Sequence, residues 1–323
     1  MRFRCSEPPH VDFAFQSRQP LLKSWAMQLL YHYCSTHSFL EILKSKTLRL
    51  GNVLLMNDYK ELQWFNDLCI QVVGDVEKTP RPEALPDRDK FLFRLRKILG
   101  QPKFDHIYAS CFSRSVDDLS QWRGYADDGK GVCFGINADT LKEVHRKLVE
   151  STPIETNLYR RIDYELKDVI YDVTVAKSQA SQLIEEYLKP ATSESPANSI
   201  IDANMAAYDI RRESAFFKNP AFASEREVRL VAMTSITGNA VDPAEPPEIC
   251  DNLPSAVDFY YGRAGITPFV SVPFLASCIL QVWVGPGFGN SFEVDALRLF
   301  LRSEGVDAPV ARDVRRSSAS YRC

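Results

Sequence analysis

Most of the signatures that would assign this chain to a function class at once are missing. There is no C-x-x-C pair, and the eight cysteines (5, 34, 69, 111, 133, 250, 278 and 323) lack the spacing of a zinc site. No run approaches the roughly 20 apolar residues of a membrane span. The opening "MRFRCSEPPHVDF" has no apolar segment of the signal-peptide kind. There is no basic excess either: net charge is -3, which argues against a protein that coats DNA. No internal repeat and no long low-complexity tract occurs. Cys111, Cys133 and Cys278 sit in apolar runs, where a reduced cysteine acts as a small hydrophobe. These absences describe a cytoplasmic protein of a reducing compartment, with no membrane partner.

What is present is a chain of 323 residues with 45% hydrophobic content, enough for a sizeable core. Residues 1–20 read as an irregular arm. A strand is expected near 29–34, then a helix near 37–46 with Phe39, Ile42 and Leu43 on one face and Leu40 beside them. Ser35, Thr36 and Ser38 are all candidate N-caps. "TLRLGNV" reads as a strand, and "NDYKELQWFNDLCIQVV" as a helix with Leu62, Phe65 and Leu68 near one face. A Pro-rich loop leads to the helix "KFLFRLRKIL". "HIYASCFS" and "KGVCFGI" read as strands around a short helix or turn, "VDDLSQWRGY". "DTLKEVHRKL" is helical, and "IDYELKDVIYDV" alternates as a hairpin or edge strand does. Residues 175–217 hold two helices split by "KPATSESPAN". A late strand opens at "SEREVRLVA", and residues 265–323 give a strand, a glycine turn, a helix and a last short strand at "APVARDV". Strands and helices mix without strict alternation, so the expected class is α+β, as one domain over 1–323. Its sheet should gather the segments near 30, 48, 107, 131, 227 and 280.

Three constellations have residue types suited to chemistry. The first is Tyr31-His32-Tyr33 before a helix start at Ser35, where backbone N–H groups and the helix dipole favour a phosphate. The competing reading of His32 is a half-buried histidine between packing tyrosines. The second is Ser110 and Ser113 in a strand, followed by Gln121, Trp122, Arg123 and Tyr125. Aromatic faces with a few fixed polar groups suit a flat ring, although Trp122 and Tyr125 also suit a core. The third is Glu225 and Glu227, spaced i, i+2 at a strand start and expected to share one face, with Arg226 and Arg229 off it. An exposed charged strand end is the plainer reading.

Two glycine motifs are set aside. Gly124 to Lys130 matches G-x-x-x-x-G-K, but Gly131 replaces the magnesium-binding hydroxyl, a strand follows instead of a helix, and Asp127 and Asp128 would repel phosphate. "VGPGFGN" reads as a structural turn.

The order H-Y-x-S, "ILKSKTLRL", S-x-F-S, Q-W-x-x-Y, F-x-x-E-x-E-x-R and V-G-P resembles a bacterial family of unknown function, over about 30–320. More distantly, His32, the Ile42-Leu43 pair and "TLRL" resemble the first strand and helix of ADP-ribosyltransferases. Glu225-Arg226-Glu227 resembles the E-x-E of the arginine-directed branch, and "SCFS" its S-T-S strand. The resemblance implies an ADP-ribosyltransferase-like split mixed sheet with helical insertions. It implies NAD as substrate, cleaved at the nicotinamide–ribose bond through an oxocarbenium-like state. Glu227 would stabilise that charge, and Glu225 would orient or deprotonate the acceptor. His32 would hold the adenosine-side ribose. Tyr33, Ser35 and the helix start would lie near the phosphates, and Ser113 and Arg123 would line the pocket. Trp122 or Tyr125 would stack on nicotinamide, and Tyr108 and Tyr125 both match the middle tyrosine of the H-Y-E branch. Neither a metal nor a Rossmann glycine motif is required. The acceptor, whether protein, nucleic acid or water, is left open.

Two other classes compete. One is a nucleotide-sensing or partner-binding module without catalysis, since one fold hosts many functions. The other is a metal-dependent nuclease built on Asp58, Asp127, Asp128 and Glu225. The first reading needs His32 and Glu227 to share a cleft with an aromatic wall. The last needs three converging carboxylates.

Overall fold

The structure is a computed structural model that describes residues 29–56, 60–79, 88–101, 107–151, 162–188, 199–234, 257–262 and 265–321. The expected arm, the linker "KPATSESPAN" and Asp58 lie outside the described residues.

The first strand, β1 (Leu29–Cys34), leads directly into helix α1 (Thr36–Ser45). Of the three candidate caps it is Ser35 that caps α1, accepting from the Ser38 N–H. Phe39, Ile42 and Leu43 form the buried face, as the 3.6-residue period requires. Burial of a side chain such as Phe39 stabilises the fold by about 1.5–3 kcal/mol. Lys46, in the left-handed region, ends the helix and turns the chain into β2 (Thr47–Asn52). Helices α2 (Glu61–Lys78) and α3 (Arg88–Leu99) come next. They are followed by β3 (Ile107–Ser113), the short helix α4 (Leu119–Tyr125), β4 (Val132–Asn137) and α5 (Ala138–Ser151). The next elements are β5 (Ile162–Asp168), α6 (Val173–Glu186), α7 (Ser199–Ser214) and β6 (Glu227–Thr234). A hairpin of β7 (Val257–Gly262) and β8 (Gly265–Pro273) precedes β9 (Ile279–Val284), α8 (Ser291–Ser303), α9 (Ala308–Arg312) and β10 (Val314–Arg316).

The strands form one mixed sheet of ten among the described residues, and all six expected segments belong to it. Strand β5 pairs only with β6 and is an edge. One expectation fails at the end of the chain: "APVARDV" begins as helix α9, and only Val314–Arg316 pair as a strand, parallel to β9. Asp307 caps that helix and Pro309 sits in its first turn, where a missing N–H costs nothing. Both glycine loops are structural. A Cβ on Gly285 would lie 2.1 Å from the Gly129 carbonyl oxygen, so the two loops touch backbone to backbone.

Strand alternation gives the sheet two distinct faces. Even-numbered residues of β1, β3, β4 and β6, such as Phe112, Phe134 and Val228, meet α1, α5, α8 and α9 in the largest core. The odd face is covered in two places. A bundle of α2, α3, α6 and α7 has its own core and touches the sheet at Ala109 and Val231. Helix α4 covers the other end, with Trp122 against Tyr31, Tyr33 and Cys133.

Candidate functional site

Strand β3 organises the site. Along one edge it pairs with β6 over its whole length, from Ile107↔Met233 to Ser113↔Glu227. Its other edge is shared. Strand β1 touches it at Tyr31↔Ser113, and β2 at Gly51↔Ala109 and Asn52↔Tyr108. Between those contacts the sheet is split. The His32 ring lies beside the split, between Phe112 and Phe134 at centroid distances of 5.5 and 5.3 Å. Its Nδ1 is 2.8 Å from the Cys111 carbonyl oxygen. A carbonyl only accepts, so Nδ1 carries the proton and Nε2 of the neutral ring is an acceptor. Burial lowers the His32 pKa from its ordinary 6.5, against the opposing effect of that bond. The ring therefore stays neutral at pH 7.

A cleft of about 210 Å³ opens at the split, lined by His32 and Cys34 from β1, by α1 and β2, and by Tyr260 from β7. His37, Ser38 and Glu41 face it from α1, and Arg49 from β2.

On the far side of β3 lies a buried ionic cluster. Glu227 and Arg229 are i, i+2 on β6 and share the odd face with Cys111 and Ser113. Arg229, fully buried, forks onto Glu227 with Nε and Nη2 at 2.9 and 3.0 Å from its two oxygens. Its Nη1 donates to the Ala215 carbonyl at 2.7 Å. Lys218 lies between both glutamates, 2.7 Å from Glu225 Oε2 and 3.4 Å from Glu227 Oε2. Burial alone would raise the Glu227 pKa, but the charge and hydrogen bonds of Arg229, then Lys218, outweigh it and hold it below the ordinary carboxylate value. The Cys111 thiol also donates to Glu227. Glu227 thus accepts four hydrogen bonds, which fills the roughly four lone-pair sites of a carboxylate. Among the described residues, Glu225 accepts from two groups, Lys218 and the Tyr125 hydroxyl at 3.0 Å. Burial, then the neighbouring Glu225, push the Tyr125 phenol well above its usual range.

Two expectations about this cluster are corrected. Arg229 does share the face of Glu227, because alternation over two residues returns to the same side. The two glutamates are not rungs of one regular strand. Glu225 closes a 3-10 turn over Pro220–Glu225, Arg226 has φ of 46° in the left-handed region, and only Glu227 starts β6. They converge because Lys218 draws both in.

The other expected residues separate by role. Tyr33 points to the face opposite His32. Its hydroxyl donates to the Ser115 carbonyl and accepts from the Asp118 N–H, and its ring meets Trp122 edge-on at 4.9 Å. Trp122 is fully buried and donates to Asp117, so its indole has no face open to a ligand. Of the two candidate stackers, Tyr125 is the accessible one, at 38% exposure. Tyr108 is likewise buried in the core, and the cluster instead has Tyr125 on Glu225 and Tyr171, whose hydroxyl accepts from the Glu227 N–H at 3.1 Å. Ser113 is buried and donates to the Glu225 carbonyl, fixing the turn. Ser35 is occupied as the α1 cap, and its hydroxyl donates to Ser38 Oγ at 2.9 Å. Arg123 is on the surface over the Tyr321 ring. Asp128 accepts a hydrogen bond from the Tyr321 hydroxyl at 2.9 Å. Among the described residues, no group of three His, Cys, Asp or Glu side chains is placed to hold a metal ion. No helix among them is long and apolar enough to cross a membrane.

Residues 121–230 match the family model of DUF2971, a protein of unknown function. No curated protein and no solved structure matches the chain. The DUF2971 match is narrower than the span of about 30–320 expected from the motifs. It runs from the start of α4 into β6 and so contains Tyr125, Lys218, Glu225, Glu227 and Arg229. The cleft residues of β1, α1 and β2 lie outside it.

Sequence reasoning passed over Lys218, Cys111, Tyr171, Arg49 and Tyr260. Lys218 precedes the Asn-Pro turn that returns the chain to Glu225, and only that turn makes the two adjacent. The E-x-E-x-R alternation was a sufficient signal for Arg229.

Proposed function

We propose that this protein consumes NAD, cleaving the nicotinamide–ribose bond as an ADP-ribosyltransferase or NAD glycohydrolase. The observation that carries the reading is the split in the sheet. It lets His32, which projects from the even face, line a cleft together with odd-face residues of β2. Glu225 and Glu227 stand outside that cleft and not within it beside His32, as the reading first required; their cluster lies two strand spacings away across β3, about 10 Å. A dinucleotide can reach from one to the other.

The roles follow from accessibility. Glu225 is the working carboxylate, because it retains acceptor capacity and its side chain is 15% exposed. It stabilises the positive charge that passes from the nicotinamide ring to the ribose as the bond breaks. It then takes the proton of the incoming acceptor, or of water. Glu227 is a positioning residue, saturated by its four donors, that anchors Lys218 and Arg229. Tyr125 fixes one oxygen of Glu225 and offers its ring to nicotinamide. His32 offers Nε2 as an acceptor for a ribose hydroxyl.

The test is nicotinamide release from NAD by the purified protein, with and without cell lysate, beside Glu225→Gln. Release lost in the variant, with the fold intact by circular dichroism, supports the reading. Release that needs lysate identifies a transferase with a separate acceptor. Absence of release in both conditions, with no NAD binding by calorimetry, overturns it in favour of the non-catalytic module.

A further inference from the structure

We infer that the split-sheet cleft is the subsite for the ADP half of the dinucleotide, with Arg49 as the pyrophosphate-binding residue and Tyr260 as the wall for the base. This rests on the NAD reading above and adds the residues that recognise the ligand. The first observation is Arg49 itself. Its guanidinium carbon lies 5.0 Å from the Phe269 ring centre and 6.0 Å from that of Tyr260. The two rings meet at 68° with centroids 5.7 Å apart, and so brace it from two sides. Among the described residues no carboxylate pairs with it, and no hydrogen bond uses its donors. A cation stacked on rings but unpaired keeps its planar fork of five N–H donors for an anion, and phosphate oxygens match that fork.

The second observation is the register. Gly51↔Ala109 puts Arg49 and Gly51 on the odd face, the face of Cys111, Glu227 and Arg229. Gly51 also pairs with Phe269, so the aromatic brace stands on that face too. Arg49 and the ionic cluster thus flank the split on one side of the sheet.

The third is size. At about 210 Å³ the cleft is below the roughly 300–1,000 Å³ of sites that enclose a drug-sized ligand. It holds part of a dinucleotide, and the rest must extend over β3 towards Glu225. Glu41, on the wall opposite, is an acceptor suited to sugar hydroxyls and disfavours a phosphate there, which leaves the Arg49 side for the anion.

The experiment is calorimetric titration of wild type, Arg49→Ala, Arg49→Lys and Tyr260→Ala with NAD, ADP and adenosine. Wild type should bind ADP at least tenfold more tightly than adenosine. Arg49→Ala should weaken NAD and ADP at least tenfold and leave adenosine unchanged, with partial recovery in Arg49→Lys. Tyr260→Ala should weaken all three. In nicotinamide release, Arg49→Ala should raise KM with kcat held. Equal ADP affinity in wild type and Arg49→Ala, or no preference of wild type for ADP over adenosine, overturns the inference while leaving the cleavage reading intact. If wild type releases no nicotinamide, the cleavage reading fails, and the ADP titration still decides. Arg49-dependent ADP binding supports the subsite, and absence of ADP binding overturns it.

Discussion

At the cleft, Arg49 and His32 keep hydrogen-bonding atoms uncommitted among the described residues; across β3, every acceptor position of Glu227 is taken. Both regions use charged and polar side chains, and both are held by the same strand. Cys111 serves the two at once, its carbonyl receiving His32 and its thiol turned to Glu227. The difference is desolvation. A buried charge must be satisfied by the protein itself, so Lys218, Arg229 and the two glutamates neutralise one another. An exposed guanidinium on an aromatic brace needs no such partner and can take its counter-charge from solution. The cluster is organised for rigidity and the cleft for exchange.

Substitution tests this contrast most severely. Arg229→Met removes one partner of a buried pair and strands the Glu227 carboxylate, so it should destabilise by about 3–5 kcal/mol. Arg49→Ala, on the surface, should stay within about 0.5 kcal/mol. Urea unfolding of both variants measures the gap; equal midpoints would mean the regions are not energetically distinct.

Acid should separate them more gently. Glu227 titrates lower in the folded protein than its ordinary value near 4.5, so as pH falls the unfolded chain takes up this proton first. Its stabilising contribution is complete above about pH 4.5 and is lost as pH drops through the folded value. His32 is also depressed, from 6.5, and the unfolded chain again protonates first. Its loss therefore begins near pH 6.5, two units earlier. Unfolding free energy measured from pH 7 to 3 should show two steps. His32→Gln should remove only the upper one and Glu227→Gln only the lower.

A local effect of intermediate size is expected at the start of α1, the helix that walls the cleft. Ser35→Ala deletes the α1 cap and should cost about 1 kcal/mol in thermal or urea unfolding, without touching the cluster.

Much of the fold was legible because local periodicity sets it. The buried face of α1, the helix at Leu62, Phe65 and Leu68, and the six sheet segments all follow from spacing alone. A split sheet was implied only by the distant resemblance, and its position was not legible in the spacing of residues. It depends on where β1 leaves β3 and β2 joins it, a matter of pairing between residues far apart in the chain, such as Tyr31 with Ser113 and Gly51 with Ala109. Trp122 illustrates a second limit: residue type allowed either a stacking wall or a core, and the decision came from Tyr33 and Asp117, neither of them predictable as its partner. Of the site, the E-x-E pair and Tyr125 were visible, whereas Lys218 became a partner only through the turn that follows it.

The left-handed Arg226 has a consequence for how this chain can vary over evolutionary time. The motif spells two acids around one basic residue, yet the middle position is chosen by backbone rather than by charge. Glycine or asparagine should substitute there freely, because they tolerate that conformation, while valine or isoleucine should be excluded. A search pattern that demands a basic residue between the glutamates would miss true relatives, and one that admits a β-branched residue would collect impostors.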